Sequence, residues 1–155
     1  MRPNDVIQLA QELMTQHGLI ALGWSFQLDS AVRRLGCCHS RTKVISVSRQ
    51  LSALNGPEII RNTMLHEIAH ALAGPNAGHG HKWQSLAVSI GCDGQRCYSG
   101  TVAVPKAPYV GVCPNCGHTT TAHRRRNVAC RTCCETYNFG KYSSKYKLRW
   151  SKRVV

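Results

Sequence analysis

The chain has 155 residues and carries 20 lysines and arginines against 7 aspartates and glutamates, a formal net charge of +13. That length holds one ordinary domain, or a small domain with a metal-stapled module, and excludes two full hydrophobic cores. A hydrophobic content of 43% excludes wholesale disorder, and no apolar run is long enough to span a bilayer.

In chain order, Met1-Arg2-Pro3-Asn4-Asp5 lacks the basic-then-apolar layout of a signal peptide, so a cytoplasmic location is expected. A helix follows, capped by Asn4, with Val6, Leu9, Ala10, Leu13, Met14 and His17 at helical spacing before Gly18. Residues 22–28 alternate Trp24, Phe26 and Leu28 and read as a strand, as does 43–48. Between them Arg33-Arg34-Leu35-Gly36-Cys37-Cys38 is ambiguous between a third strand and a turn. Asn55-Gly56-Pro57 announces the next helix, with Pro57 at its first position. Its buried face is Ile59, Ile60, Met64, Leu65, Ile68, Ala69 and Leu72, and Gly74-Pro75 stops it. A further helix fits 82–90 through Trp83, Leu86, Ala87 and Ile90.

Residues 1–95 are therefore read as one domain, 96–109 as a linker and 110–155 as a second module, where apolar residues thin out and cysteines crowd. Charge divides the same way. Residues 1–95 hold 8 basic and 6 acidic side chains, whereas 96–155 hold 12 basic ones and Glu135 alone. A polycationic segment suits a polyanionic partner, nucleic acid first.

The second long helix contains His66-Glu67-Ile68-Ala69-His70. Histidines at i and i+4 share one helical face, close enough for both imidazoles to hold one Zn²⁺. Glu67 projects beside that metal, where its carboxylate can take a proton from water as the general base of a zinc peptidase. A catalytic zinc needs a third protein ligand, and Gly78-His79-Gly80-His81 offers two histidines on a flexible loop. No side chain is identified as an oxyanion stabiliser; Tyr98 and Tyr109 follow the helices and are the candidates in reach.

Nine cysteines are many for a chain without a secretory signal, and an odd number cannot all pair. Cys113-Pro114-Asn115-Cys116 and Cys130-Arg131-Thr132-Cys133 are two C-x-x-C turns that together complete a tetrahedral Cys₄ zinc site. Cys134 makes the second turn ambiguous, though the spacing favours Cys133. Cys37, Cys38, Cys92 and Cys97 are read as small buried hydrophobes. Arg124, Arg125 and Arg126 stand between the two turns, and Lys145, Lys147, Arg149 and Trp150 follow them. Cations suit phosphates and aromatic faces suit unpaired bases, so these residues are the expected nucleic-acid contacts.

Four stretches carry a resemblance. They are Trp24, Leu35-Gly36-Cys37, Met64 through Leu72, and His79-Gly80-His81-Lys82-Trp83. Together they resemble the SprT-like family of zinc metalloproteases, over roughly Val6 to Glu135, and most closely its short bacterial and phage members. The family's third zinc ligand is the histidine of an H-G-x-x-(F/W) motif, which implies His79, with His81 as the alternative. The family often ends in a zinc ribbon and includes a protease that clears DNA–protein crosslinks.

The expected fold is thus α+β: a small zincin-like metalloprotease domain, with a short sheet and about three helices, followed by a Cys₄ zinc ribbon. The expected function is a zinc-dependent endopeptidase acting on DNA-bound or DNA-crosslinked proteins. It would use one catalytic and one structural Zn²⁺, with DNA, including its single-stranded form, as partner. A monomer without membrane contact, cytoplasmic or nucleoid-associated, is expected. The alternatives are a nucleic-acid-binding zinc protein with a non-catalytic HExxH site, and a peptidase indifferent to DNA.

Overall fold

The computed structural model describes residues 1–96 and 102–153, and Cys97 and Tyr98 lie outside them. The chain has a mixed α+β architecture and divides into two compact units, Met1–Pro105 and Lys106–Val155.

In the first unit, helix α1 spans Pro3–Gln16. It begins two residues earlier than the sequence suggests: Arg2 is the N-cap and Pro3 the first helical residue, so Asn4 lies inside the first turn and caps nothing. Proline is at ease there, since its preset φ suits the helix and its missing N–H would have had no partner. Strands β1 (Ser25–Asp29), β2 (Gly36–His39) and β3 (Val44–Ser48) form a sheet in the order β1-β3-β2. β1 runs parallel to the central β3 and β2 antiparallel to it.

Asp29 decides the ambiguous 33–38 segment. Its Oδ1 accepts the backbone N–H of Ala31 at 2.8 Å, and its Oδ2 accepts both the Ser46 hydroxyl and the Arg34 guanidinium at 2.8 Å. Residues 30–35 are thereby drawn over the outer face of β3, where Ser46 and Ser48 are fully buried, and the chain re-enters the sheet as β2 at Gly36. A central strand without its own alternation of exposure follows from this cover.

The six-residue helix α2 (Arg49–Leu54) is an addition to the three expected. Ser48 caps it by accepting the Leu51 N–H at 3.1 Å. Helix α3 spans Pro57–Ala73 and α4 spans His81–Ser89. α3 is the central element: Ile60, Met64, Leu65, Ile68 and Ala69 pack into one cluster with Val6, Ala10, Leu13 and Met14 of α1, Ile45 and Val47 of β3, and Trp83 and Ala87 of α4. Ile59 and Leu72, expected on the buried face, are only half-buried.

The stretch read as a linker is shared between the units. The Asn55 side chain, 5% exposed, donates to the Leu51 carbonyl at 2.7 Å and the Ala103 carbonyl at 2.9 Å, and accepts the Ala103 N–H at 2.9 Å. These bonds pin 102–105 to the first unit. An amide that satisfies a backbone pair 48 positions away leaves no periodic trace in a sequence.

The second unit contains β4 (Tyr109–Val112), β5 (Thr119–Ala122), helix α5 (Arg131–Tyr137) and β6 (Arg149–Lys152). Its antiparallel sheet has the order β5-β4-β6. Its buried cluster is small: Cys113, Cys130, Cys133, Cys134, Tyr146 and Leu148, flanked by Ala129 and Trp150. The Trp150 ring lies against Gly111, where a Cβ would come within 2.9 Å of three ring atoms. Among the described residues, no helix is long and apolar enough to cross a membrane.

Candidate active site and metal centres

α3 places His66 and His70 one turn apart on the same face. The helix stops at Gly74, and the loop that follows returns His79 to the pair. The three Nε2 atoms stand 3.0 Å (His66–His79), 3.1 Å (His70–His79) and 3.3 Å (His66–His70) apart. Ligands on a tetrahedral zinc at the usual Zn–N length of about 2.05 Å lie about 3.3 Å from one another. Three ring nitrogens facing one point repel as lone pairs and repel more strongly as protonated cations, so the donor set fits a shared divalent cation. His81 opens α4 on the surface, outside this cluster.

Trp83 forms the floor of the site. It is 1% exposed, its ring centroid lies 4.7, 5.2 and 4.6 Å from those of His66, His70 and His79, and its indole N–H donates to the His66 carbonyl at 3.4 Å. Burial pushes the His66 imidazole down to about 4, helped by the charges that His70 and His79 would carry. His70 and His79 are also lowered, chiefly by burial. Neutral imidazole, the ligating form, therefore dominates at physiological pH.

Glu67 points from α3 toward β2 and is 8% exposed. A Cβ on Gly36 would lie 2.8 Å from its Cγ, 2.9 Å from its Oε1 and 2.8 Å from Thr63 Cγ2, so only glycine lets the strand approach this carboxyl. Burial raises the Glu67 carboxyl to about 7, against the pull of the Cys38 backbone N–H and the Arg34 charge. A cation held by the histidines would favour the carboxylate form. Two clefts open beside it. One, of about 420 Å³, is lined by Arg33, Arg34, Leu35, Val102 and Val104. The other, of about 400 Å³, is lined by Cys37, Cys38, Ser40, His70 and His79, and both share Gly36, His66, Glu67 and Arg96.

In the second unit the Sγ atoms of Cys113, Cys116, Cys130 and Cys133 lie within 4.8 Å of one another. Cys113–Cys133 and Cys116–Cys130 are each 3.7 Å apart. Thiolates on a tetrahedral zinc at the usual Zn–S length of about 2.3 Å stand about 3.8 Å apart, so this cluster also fits. It is consistent with a zinc ribbon. The Asn115 side-chain N–H donates to Cys133 Sγ at 3.4 Å and ties one turn to the other. Cys134 is buried in the module's core and does not join the four, nor do His118 and His123. Cys92 is buried in the core of the first unit, as expected, whereas Cys37 and Cys38 are half-buried along β2.

Arg124, Arg125, Arg126, Lys145, Lys147 and Arg149 are all exposed. Trp150, grouped with them as a stacking face, is instead engaged: one face covers Gly111 and its indole N–H donates to the Arg126 carbonyl at 2.8 Å. Tyr109 lies in β4 with the Arg125 guanidinium 5.5 Å above its ring. The freely presented rings are others: Tyr137 (64% exposed), Phe139 (96%) and Tyr142 (55%). Phe139 has φ +53°, and the Asn138 side chain clamps its turn by donating to the Lys141 and Tyr142 carbonyls at 2.9 and 3.3 Å. A bulky residue held in the left-handed region with its ring in solvent carries strain that no packing offsets. Asn138-Phe139-Gly140 was its only sequence signal.

A family model described as the SprT-like family matches residues 4–103. Protein SprT of Pseudomonas savastanoi pv. phaseolicola is 28% identical over 130 residues, covering 74% of this chain and 78% of that protein. Protein SprT of Pseudomonas syringae pv. syringae gives the same figures. No solved structure matches the chain.

Two outcomes follow from the geometry. Gly36→Ala drives a methyl into Glu67 and Thr63 and should cost about 1–3 kcal/mol in urea unfolding, with the metal content of the protein unchanged. The second concerns pH. A histidine with a depressed folded-state pKa stabilises the metal-free fold above its unfolded value, and that contribution is lost as the pH falls toward the folded one. For His66 the window runs from the ordinary 6.5 down to about 4. In cobalt-substituted protein, the visible bands of the histidine-bound ion should be lost on acidification, at a pH below the ordinary imidazole value.

Proposed function

The chain belongs to the SprT-like family, and on that premise we propose that it is a zinc-dependent endopeptidase of zincin-like fold with a zinc ribbon, acting on proteins held on DNA. The observation that carries this reading is a buried carboxylate, Glu67, fixed beside three converging imidazoles at the junction of two open clefts.

Zinc bound by His66, His70 and His79 would supply Lewis acidity toward a peptide carbonyl and make water easier to deprotonate. The chain's own residues supply the rest. Glu67 takes the proton from water as the water oxygen adds to the carbonyl carbon. The same carboxyl passes that proton to the amide nitrogen as the C–N bond breaks. Gly36 allows Glu67 its place, the Cys38 N–H steadies its charged form, and Trp83 keeps the imidazoles turned inward. The four cysteines would hold a second, structural zinc that reinforces the small core of the second unit.

Association with DNA is supported by the excess of basic residues after position 95 and by their exposure. Arg124, Arg125, Arg126, Lys145, Lys147 and Arg149 suit phosphates, while Tyr137, Phe139 and Tyr142 take the stacking role first given to Trp150. Substrate choice then comes from co-localisation on DNA, in the cytoplasm or at the nucleoid, and a monomer suffices.

The test is cleavage of a DNA-linked protein, with and without single-stranded DNA. Glu67→Gln should keep its zinc and lose roughly 10²–10⁴-fold in rate. Zinc-loaded wild type that cleaves no better than E67Q on any such substrate would leave a non-catalytic, nucleic-acid-binding zinc protein. Phe139→Ser should weaken single-stranded DNA binding by about 5–100-fold, and duplex binding much less, in a fluorescence anisotropy titration.

A further inference from the structure

We infer that the 420 Å³ cleft beside Glu67 is a subsite for an acidic side chain of the substrate, with Arg33 and Arg96 as its specificity-determining residues. This rests on the peptidase reading above and goes beyond it, because a zinc site and a general base are indifferent to the charge of the residue next to the scissile bond.

The argument starts from the lining. Leu35, Leu51, Val102 and Val104 give the cleft apolar walls, and Arg33, Arg34 and Arg96 stand with them. Arg34 is committed to Asp29 at 2.8 Å. Arg33 and Arg96 form no ion pair among the described residues. Among the described residues, the only carboxylate lining the cleft is Glu67, which the chemistry occupies. Asp93, close by in sequence, is turned to its own backbone, its Oδ1 accepting the Gln95 N–H at 3.0 Å, and it does not line the cleft.

A glutamate side chain fits this arrangement. Its methylenes lie on the leucine and valine walls, and its carboxylate meets guanidinium groups able to bind it in a two-pronged fashion. Lysine or arginine at the same position would bring like charge against Arg33 and Arg96 and is rejected. Because the cleft is bounded by both His66 and Glu67, its occupant is a residue adjoining the bond that breaks. The second cleft shares Arg96, His66 and Glu67, but it lacks Arg33 and the leucine and valine walls, its own lining being His70, His79 and small groups such as Cys37, Ser40 and Pro75, so the paired arginines select charge on one side of the bond. Apolar walls favour a side chain over a nucleic-acid backbone, which gains nothing from leucine and valine.

The experiment uses the zinc-loaded full chain and unstructured fluorogenic peptides with Glu, Gln or Lys on either side of the scissile bond. On one side, Glu should exceed Lys in kcat/KM by about tenfold or more, with Gln between them, and Arg33→Glu with Arg96→Glu should reverse that order. Binding of the same peptides to zinc-loaded E67Q, followed by anisotropy, keeps the test independent of turnover. Equal binding of the Glu and Lys peptides there overturns the subsite. A Glu preference in binding alongside wild type that cleaves nothing sinks the peptidase reading and leaves the subsite standing. If the double charge reversal lowers DNA affinity but leaves the peptide order as it was, the two arginines belong to nucleic acid and the inference is wrong.

Discussion

Three imidazole nitrogens 3.0–3.3 Å apart repel one another unless a cation stands among them, so the fold must hold them there against that repulsion. It does so by making the metal helix and the core helix the same element. α3 is buried on most sides, and Met64, Leu65, Ile68 and Ala69 are locked into the core on either side of His66 and His70. Trp83 belongs to both worlds: it is fully inside the core cluster and in ring contact with all three histidines. A donor set held this way is preorganised, so little conformational freedom remains to be lost when metal binds. Changes that loosen α1 or β3 against α3 therefore reach the site through packing alone.

The same economy explains Glu67. A carboxylate buried without a partner is costly, and its raised proton affinity is the sign of that cost. The edge strand β2 meets it closely enough that a single methyl group at position 36 would collide with it. Confinement on two sides gives the carboxyl one position, which the proposed proton transfer needs and a flexible surface glutamate could not offer.

The features legible in the sequence were those whose signal is local. His66, Glu67 and His70 are readable because helical spacing turns three letters into one face, and the four cysteines because each pair closes a turn. The choice of His79 over His81 came from a motif and not from periodicity; the structure brings His79 to the pair because α4 begins at His81 and commits that residue to the surface. What escaped was contact across distance. Gly36 sat in a segment ambiguous between a strand and a turn, and its role stayed hidden because it is the approach to a neighbour on another element. Asn55 was read as a helix boundary, though its side chain reaches Ala103 and moves the edge of the first unit into the expected linker. α2 was too short to show a period. Trp150 seemed available because the sequence does not show that Gly111 leaves room beneath its ring.

The two units hold themselves together by different means. The first has a core of sixteen buried residues drawn from helices and sheet, and the second has six, three of them (Cys113, Cys130 and Cys133) from the cysteine cluster. Such a chain is expected to show no single melting temperature. With metal held at both sites as proposed, its withdrawal would remove most of the second unit's reason to fold, while the first would keep its apolar cluster and lose a ligand. Heating curves then depend on which probe is watched, and a transition near the cysteines says little about the integrity of the histidine site. The boundary at Pro105 is where separate cooperative units are expected to meet.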